Sequence, residues 1–226
     1  MHQLQPDYKF YPSLLDSYKW YQASESDNSE QELIDKINRK PFSSDAADKG
    51  TWFNELIDLC LKGSEKHGVE FLSGPAEIIL ERLIGSVKQV HTSTTLDVDG
   101  KTVELYGYID YVQQDRVIDL KTTKSYELGK YKDSLQLHFY PVSLIDEGNE
   151  INAFEFLVTD FENVYPEVYM VDYNRSKNIL IDACRELIRF VEIKKDLITD
   201  KKIFGGENIV VCQGENINGH AVIIAQ

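Results

Sequence analysis

Asp110, Asp119 and Lys121 are the residues of this sequence whose types and spacing could do chemistry together. They lie in a stretch from Glu104 to Tyr140, where two β-like runs, VELYGYIDYV and RVIDLKT, flank a polar junction at Gln113 to Asp115. That pattern predicts an antiparallel hairpin. With Gln114 and Asp115 as a two-residue turn, Asp110 faces Asp119 across the ladder, their Cβ atoms about 4.5–5.5 Å apart. Lys121 follows Asp119 by two residues and shares its side of the strand, while Ile109, Ile118 and Leu120 point to the other. A different turn would slide the pair apart.

Two carboxylates set opposite each other repel, and a fold keeps such a pair only where a cation, a shared proton or open water offsets the repulsion. A divalent metal answers this most directly. Hard oxygen ligands from two aspartates, with a backbone carbonyl and waters, suit Mg²⁺ or Mn²⁺ and leave coordination positions open for substrate. The Lys121 ammonium could then orient an attacking water and balance negative charge developing on a phosphate.

Three pieces in order, Gly107-Tyr108-Ile109-Asp110, then Val117-Ile118-Asp119-Leu120-Lys121, then Gln136-Leu137-x-x-Tyr140, resemble the PD-(D/E)XK nuclease superfamily, in particular its RecB-like and Cas4-like exonuclease branch of phage type. The triplet Asp-x-Lys alone is a weak signal; the order is the specific one. Gln136 and Tyr140 are four residues apart and share a helical face, which the resemblance turns toward the metal site and the nucleic acid. It also implies that Asp110, Asp119 and the Leu120 carbonyl bind metal, that Lys121 positions or activates water, and that Gln136 and Tyr140 orient the scissile strand. The expected activity is hydrolysis of DNA phosphodiester bonds, from an end or on single strands, in recombination, repair or phage DNA metabolism.

Other elements must position these groups. Tyr11 to Tyr21 predicts a helix capped by Ser13, and Ser13-x-Leu15-x-x-Tyr18 is similar to the opening helix of many RecB-like nucleases. EQELIDKINRK predicts a short amphipathic helix ending before Pro41. Residues 43 to 62 predict a further helix with Gly63 as its stop. Within it, Gly50-x-x-x-Asn54-x-x-x-Asp58 is similar to a family helix with histidine in place of Asn54. Asn54 either completes the metal shell through its amide oxygen or covers a solvated helix face. AEIILERLIGSVKQV predicts a core helix, and VHTSTTLDV, Asp99-Gly100 and TVELYGYIDYV a second hairpin. A helix from Tyr131 to Glu147 is interrupted by Pro141, two strands follow at AFEFLVTDF and EVYMVDY, and Asn174 caps a long helix to about Asp200. The tail from Phe204 to Gln226 predicts an edge hairpin or a partner-binding arm.

The expected architecture is one α/β (α+β) restriction-endonuclease-like domain over residues 1–226. A helical part would span 1–88, the core of a central mixed sheet 89–172, and the last helix and tail 173–226. Three cysteines without C-x-x-C spacing suggest no disulfide framework and no zinc site, and they fall short of the four that an iron–sulfur cluster takes. With no basic-then-apolar leader and no apolar run of about 20 residues, a cytoplasmic protein without membrane association is expected. The formal net charge of −14 opposes duplex binding through a broad basic surface. Lys121, Lys124, Lys130 and Lys132 could supply a local cluster, or a protein partner a basic surface. The alternative is a catalytically inactive member of the fold that binds nucleic acid or protein; a third reading is an acidic structural protein whose two aspartates face solvent.

Overall fold

The computed structural model describes residues 5–67 and 74–205, with the backbone alone at 63–67. In chain order the elements are β1 (Tyr8–Phe10), α1 (Pro12–Ala23), α2 (Ser29–Ile37), α3 (Asp45–His67), α4 (Pro75–Leu83), β2 (Val87–Val98), β3 (Lys101–Gln113), β4 (Arg116–Thr122), α5 (Gln136–Asp146), β5 (Ala153–Thr159), β6 (Val164–Met170) and α6 (Tyr173–Ile193). Two short 3₁₀ turns, Lys195–Leu197 and Lys201–Phe204, follow α6.

Local turn chemistry sets the centre of the sheet. Asp99 and Gly100 take φ of 54° and 80°, the left-handed pair that a tight two-residue hairpin requires, and Asp97 Oδ1 accepts the Gly100 N–H at 3.0 Å. The β2–β3 ladder then runs from Val98↔Lys101 to Val87↔Val112. Gln114, with φ of 50°, turns β3 into β4 in the register Gln113↔Arg116, Val112↔Val117, Tyr111↔Ile118. This is the expected register. β4 runs parallel to β5 by way of α5, and β5 pairs antiparallel with β6. The result is a six-stranded mixed sheet with helices on both faces, the expected α/β class.

Alternation along β5 shows the layering. Phe154, Phe156 and Val158 pack in the larger core with residues of α1, α2, α5 and α6, while Leu157 joins the smaller core of Phe53, Ile57, Ile79, Leu80 and Leu83 from α3 and α4. A crossover strand buried on both faces carries apolar residues throughout, and each fully buried Phe or Leu contributes about 1.5–3 kcal/mol. Among them lies the buried carboxylate of Glu155, held by Arg82 of α4 and by Arg116 of β4 at 2.8 Å.

β3 is the crowded strand. β2 occupies one of its edges throughout, so β1, which pairs in parallel with Val103–Leu105, and β4, which pairs with Tyr111–Gln113, must share the other. Between them Tyr106 to Asp110 has no ladder partner on that edge. The strand also changes faces there: Ile109 belongs to the larger core and Tyr111 to the smaller one, whereas residues two apart in a regular strand share a face. Gln89 of β2, beside this point, has φ of 51°.

Several expected boundaries move. Tyr11 is the N-cap of α1 and Pro12 its first residue, with Ser13 inside the helix; proline's fixed φ is suited to that position. Gly63 does not stop α3, which continues to His67, because one helical glycine costs only about 1 kcal/mol. α4 ends at Leu83, Gly85 turns with φ of 80°, and VKQV begins β2. α5 starts at Gln136, and Pro141 lies inside it without interrupting it. The complete burial of its neighbours Phe139 and Val142 offsets the roughly 3 kcal/mol that an interior proline costs. Asp172, not Asn174, caps α6, accepting the Arg175 N–H at 3.0 Å, and the helix ends at Ile193. β1 adds a strand within the stretch expected to be helical. Cys212 and most of the tail lie outside the described residues.

Candidate active site

The next rung of the β3–β4 register beyond Tyr111↔Ile118 sets Asp110 opposite Asp119. The ladder ends there, and the Asp110 side chain takes over: its Oδ2 accepts the Leu120 N–H at 3.1 Å. Burial, and then the neighbouring charge of Asp119, raise the Asp110 carboxyl to about 7, against the pull of Lys121. Asp119 is 2% exposed. Its Oδ2 makes no aligned hydrogen bond and faces the Lys121 ammonium at 2.7 Å. Burial presses Lys121 toward neutrality, but the charge and contact of Asp119 outweigh it and hold the ammonium above the ordinary lysine range.

Lys121 Nζ also donates to Gln136 Oε1 at 2.7 Å, and Gln136 Nε2 donates to the Tyr140 hydroxyl at 3.4 Å. The expected helical face of α5 therefore reaches the site through the lysine. Burial raises the Tyr140 phenol, keeping it protonated. Gly107 lets α5 approach: a Cβ there would lie 3.2 Å from both the Phe139 and the Tyr140 ring.

On the opposite side of the sheet, α3 brings Asn54 to a cavity of about 190 Å³ that it lines with Thr51, Glu55, Asp58, Gln89, Asp110 and Tyr111. A Cβ on Gly50 would lie 2.8 Å from Thr122 Oγ1, so this helix packs so closely on the end of β4 that a larger residue would require the Thr122 side chain or the helix to move. Asn54 Oδ1 is buried without a hydrogen-bond partner. Asp58 is engaged elsewhere, accepting the Tyr111 hydroxyl at 2.9 Å and facing Lys88 at 3.6 Å.

This donor set fits a hard divalent cation. An orphaned amide oxygen costs about 1–3 kcal/mol of desolvation, Asp110 ionises only with difficulty beside Asp119, and a cation between them relieves both. Among the described residues no group of three His, Cys, Asp or Glu side chains could hold a metal, so the amide, a carbonyl and water would complete the shell.

Asp16 carries no motif in the sequence. From α1 its carboxylate accepts the Ser134 hydroxyl at 2.8 Å and the Leu135 N–H at 2.6 Å, satisfying donors at the start of α5 and so fixing where Gln136 begins. Burial raises it, while these bonds and the nearby Lys121 lower it. Its only sequence signal is an acid beside Leu14 and Leu15. Of the other expected lysines, Lys130 donates to Thr123 Oγ1 at 2.8 Å, and Lys132 lines a different cavity with Lys19, His138 and Arg175.

The model of the PD-(D/E)XK nuclease superfamily matches residues 17–194, from within α1 to the end of α6. The chain belongs to this superfamily. Among solved structures, the crystal structure of SSO0001 matches this PD-(D/E)XK chain at 16% identity with a TM-score of 0.49, covering 81% of this chain and 78% of that one. No curated protein matches. No described helix is long and apolar enough to cross a membrane.

Proposed function

We propose that the protein is a Mg²⁺- or Mn²⁺-dependent nuclease hydrolysing DNA phosphodiester bonds, an exonuclease of the RecB-like and Cas4-like branch acting in recombination, repair or phage DNA metabolism. The observation that carries this is the set of one buried aspartate, one half-buried aspartate and one ammonium at the point where β4 leaves β3, backed by Gln136 and Tyr140. Asp110, Asp119, the Leu120 carbonyl and Asn54 would hold the ion, which supplies Lewis-acid polarisation of the scissile phosphate. Lys121 holds the attacking water and neutralises charge gathering on the phosphate. Gln136 is a positioning residue, since its Oε1 fixes the lysine. The Tyr140 phenol, protonated at every working pH, donates to a phosphate oxygen. A protein partner would supply the basic surface that a chain of net charge −14 lacks.

Labelled DNA incubated with pure protein and Mn²⁺ is expected to be degraded, and Asp119→Ala or Lys121→Ala to stop it. Undiminished cleavage by those variants excludes the mechanism. The second reading, an inactive nucleic-acid- or protein-binding module, draws on Asn54 in the usual histidine position and on the Asp119–Lys121 pair, which needs no metal once Asp110 is protonated. Calorimetry separates the two: a folded protein that takes up no Mn²⁺ at millimolar concentration is the module.

A further inference from the structure

The open edge of β3 leads away from the site through two adjoining cavities. The inner one, about 270 Å³, is lined by Tyr11, Arg39, Tyr106, Tyr108, Gln136 and Tyr140 among others, and so begins at Gln136, which touches Lys121, and at Tyr140, which touches Gln136. The outer one, about 890 Å³, lies along α1 and α2, and its lining includes Trp20, Phe42, Lys36 and Lys40. Tyr11 and Arg39 line both and form the shared wall. Arg39 is pinned there, its guanidinium 2.7 Å from Asp200, donating to the Tyr106 hydroxyl at 2.7 Å and lying over the Tyr11 ring.

The lining chemistry is unusual for an acidic protein. Tyr108, Trp20 and Phe42 are 59%, 51% and 85% exposed. The cations are largely answered from within: Lys40 pairs with Asp35 at 2.7 Å, Arg39 with Asp200, and Glu32 lies beside Lys36 in the lining. Duplex DNA is held mainly by uncompensated Lys and Arg on its phosphates, which this path does not provide. Unpaired bases gain affinity from aromatic faces, which serve every base whatever the sequence. Paired bases in a duplex keep their faces stacked on each other.

We propose that the two cavities form a path for one unpaired nucleic-acid strand, with bases stacking on Tyr108 in the inner cavity and on Trp20 and Phe42 in the outer one, so that the site takes single strands or frayed ends in preference to intact duplex. This rests on the nuclease reading for the position of the scissile bond at the inner end.

The test uses wild-type protein in EDTA with a labelled short oligothymidylate and a blunt hairpin of equal length, read by anisotropy. The single strand is expected to bind at least tenfold more tightly. Trp20→Ala and Tyr108→Ala should each weaken it about tenfold, the scale of one lost stack. Oligothymidylate should quench tryptophan fluorescence. With two tryptophans in the chain, the quench should vanish in Trp20→Phe and persist in Trp52→Phe, since Trp52 is exposed and lines neither cavity. Equal affinity for the hairpin, or unchanged binding by Trp20→Ala and Tyr108→Ala, overturns the path even if Asp119-dependent cleavage is found. Binding with Trp20 quenching but without cleavage in Mn²⁺ upholds the path and ends the hydrolytic reading.

Discussion

Two buried acidic groups on neighbouring strands are answered in opposite ways. Glu155 on β5 meets two guanidinium groups, Arg82 and Arg116, and its single negative charge is more than matched. Asp110 and Asp119 share one ammonium between them. The first arrangement is closed and joins α4 to β4 and β5. The second is one positive charge short. A fold that can surround a carboxylate with arginines on one strand, and leaves two carboxylates with a single lysine on the next, concentrates its uncompensated charge where a cation would dock.

The largest effect that separates the two regions should come from Asp119→Ala. Cleavage is expected to fall by at least about 10²–10³-fold with a smaller loss of thermal stability than Glu155→Ala, because Asp110 remains as a counter-charge for Lys121, measured by turnover of labelled DNA beside a melting curve. Glu155→Ala should do the reverse. It leaves a buried void beside two arginines that are each about a third exposed, so the loss should be clear in urea unfolding but below the roughly 3–5 kcal/mol of a fully buried broken pair; an unchanged midpoint would erase the contrast. Next is Asp110→Asn in metal-free protein. A carboxyl raised to about 7 in the fold contributes stability that is present below its unfolded value near 4 and lost as pH rises toward 7. The amide should therefore stabilise the protein by about 2–4 kcal/mol at pH 8 and hardly at all at pH 4. Saturating Mn²⁺ should reverse that order by favouring the wild-type carboxylate. Smallest is Asp16→Ala, expected to cost about 1–3 kcal/mol by orphaning the Ser134 and Leu135 donors. Activity should drop more than the folded fraction does, because Gln136 loses its anchor.

The sequence is legible where information is local. The β3–β4 register follows from a two-residue turn between alternating runs, so the strand pattern by itself pairs Asp110 with Asp119. The spacing of Gly50 and Asn54 points to the helix that lines the Asp110 cavity. Helical period alone places Gln136 and Tyr140 on one face, even though the expected start of α5 lies five residues too early. What is not legible depends on distant contacts. β1 is three residues long and exists through its pairing with Val103–Leu105. The change of face at Asp110 is a property of two strands at once, visible only as Ile109 and Tyr111 entering different cores. Asp16 acts across more than a hundred residues of chain, and a lone acid in an apolar helix offers no periodic signal.

Gly50 works as a missing shim. Because Thr122 Oγ1 occupies the space a methyl group would need, the reach from α3 to the cleft is set by an absence. A methyl group there would have to be met either by rotation of the Thr122 side chain or by an outward shift of the helix that carries Asn54 with it. The amide proposed as a ligand and the bare position one turn before it would then form a matched pair, and swapping Asn54 for a longer donor is the natural way to restore contact after Gly50→Ala.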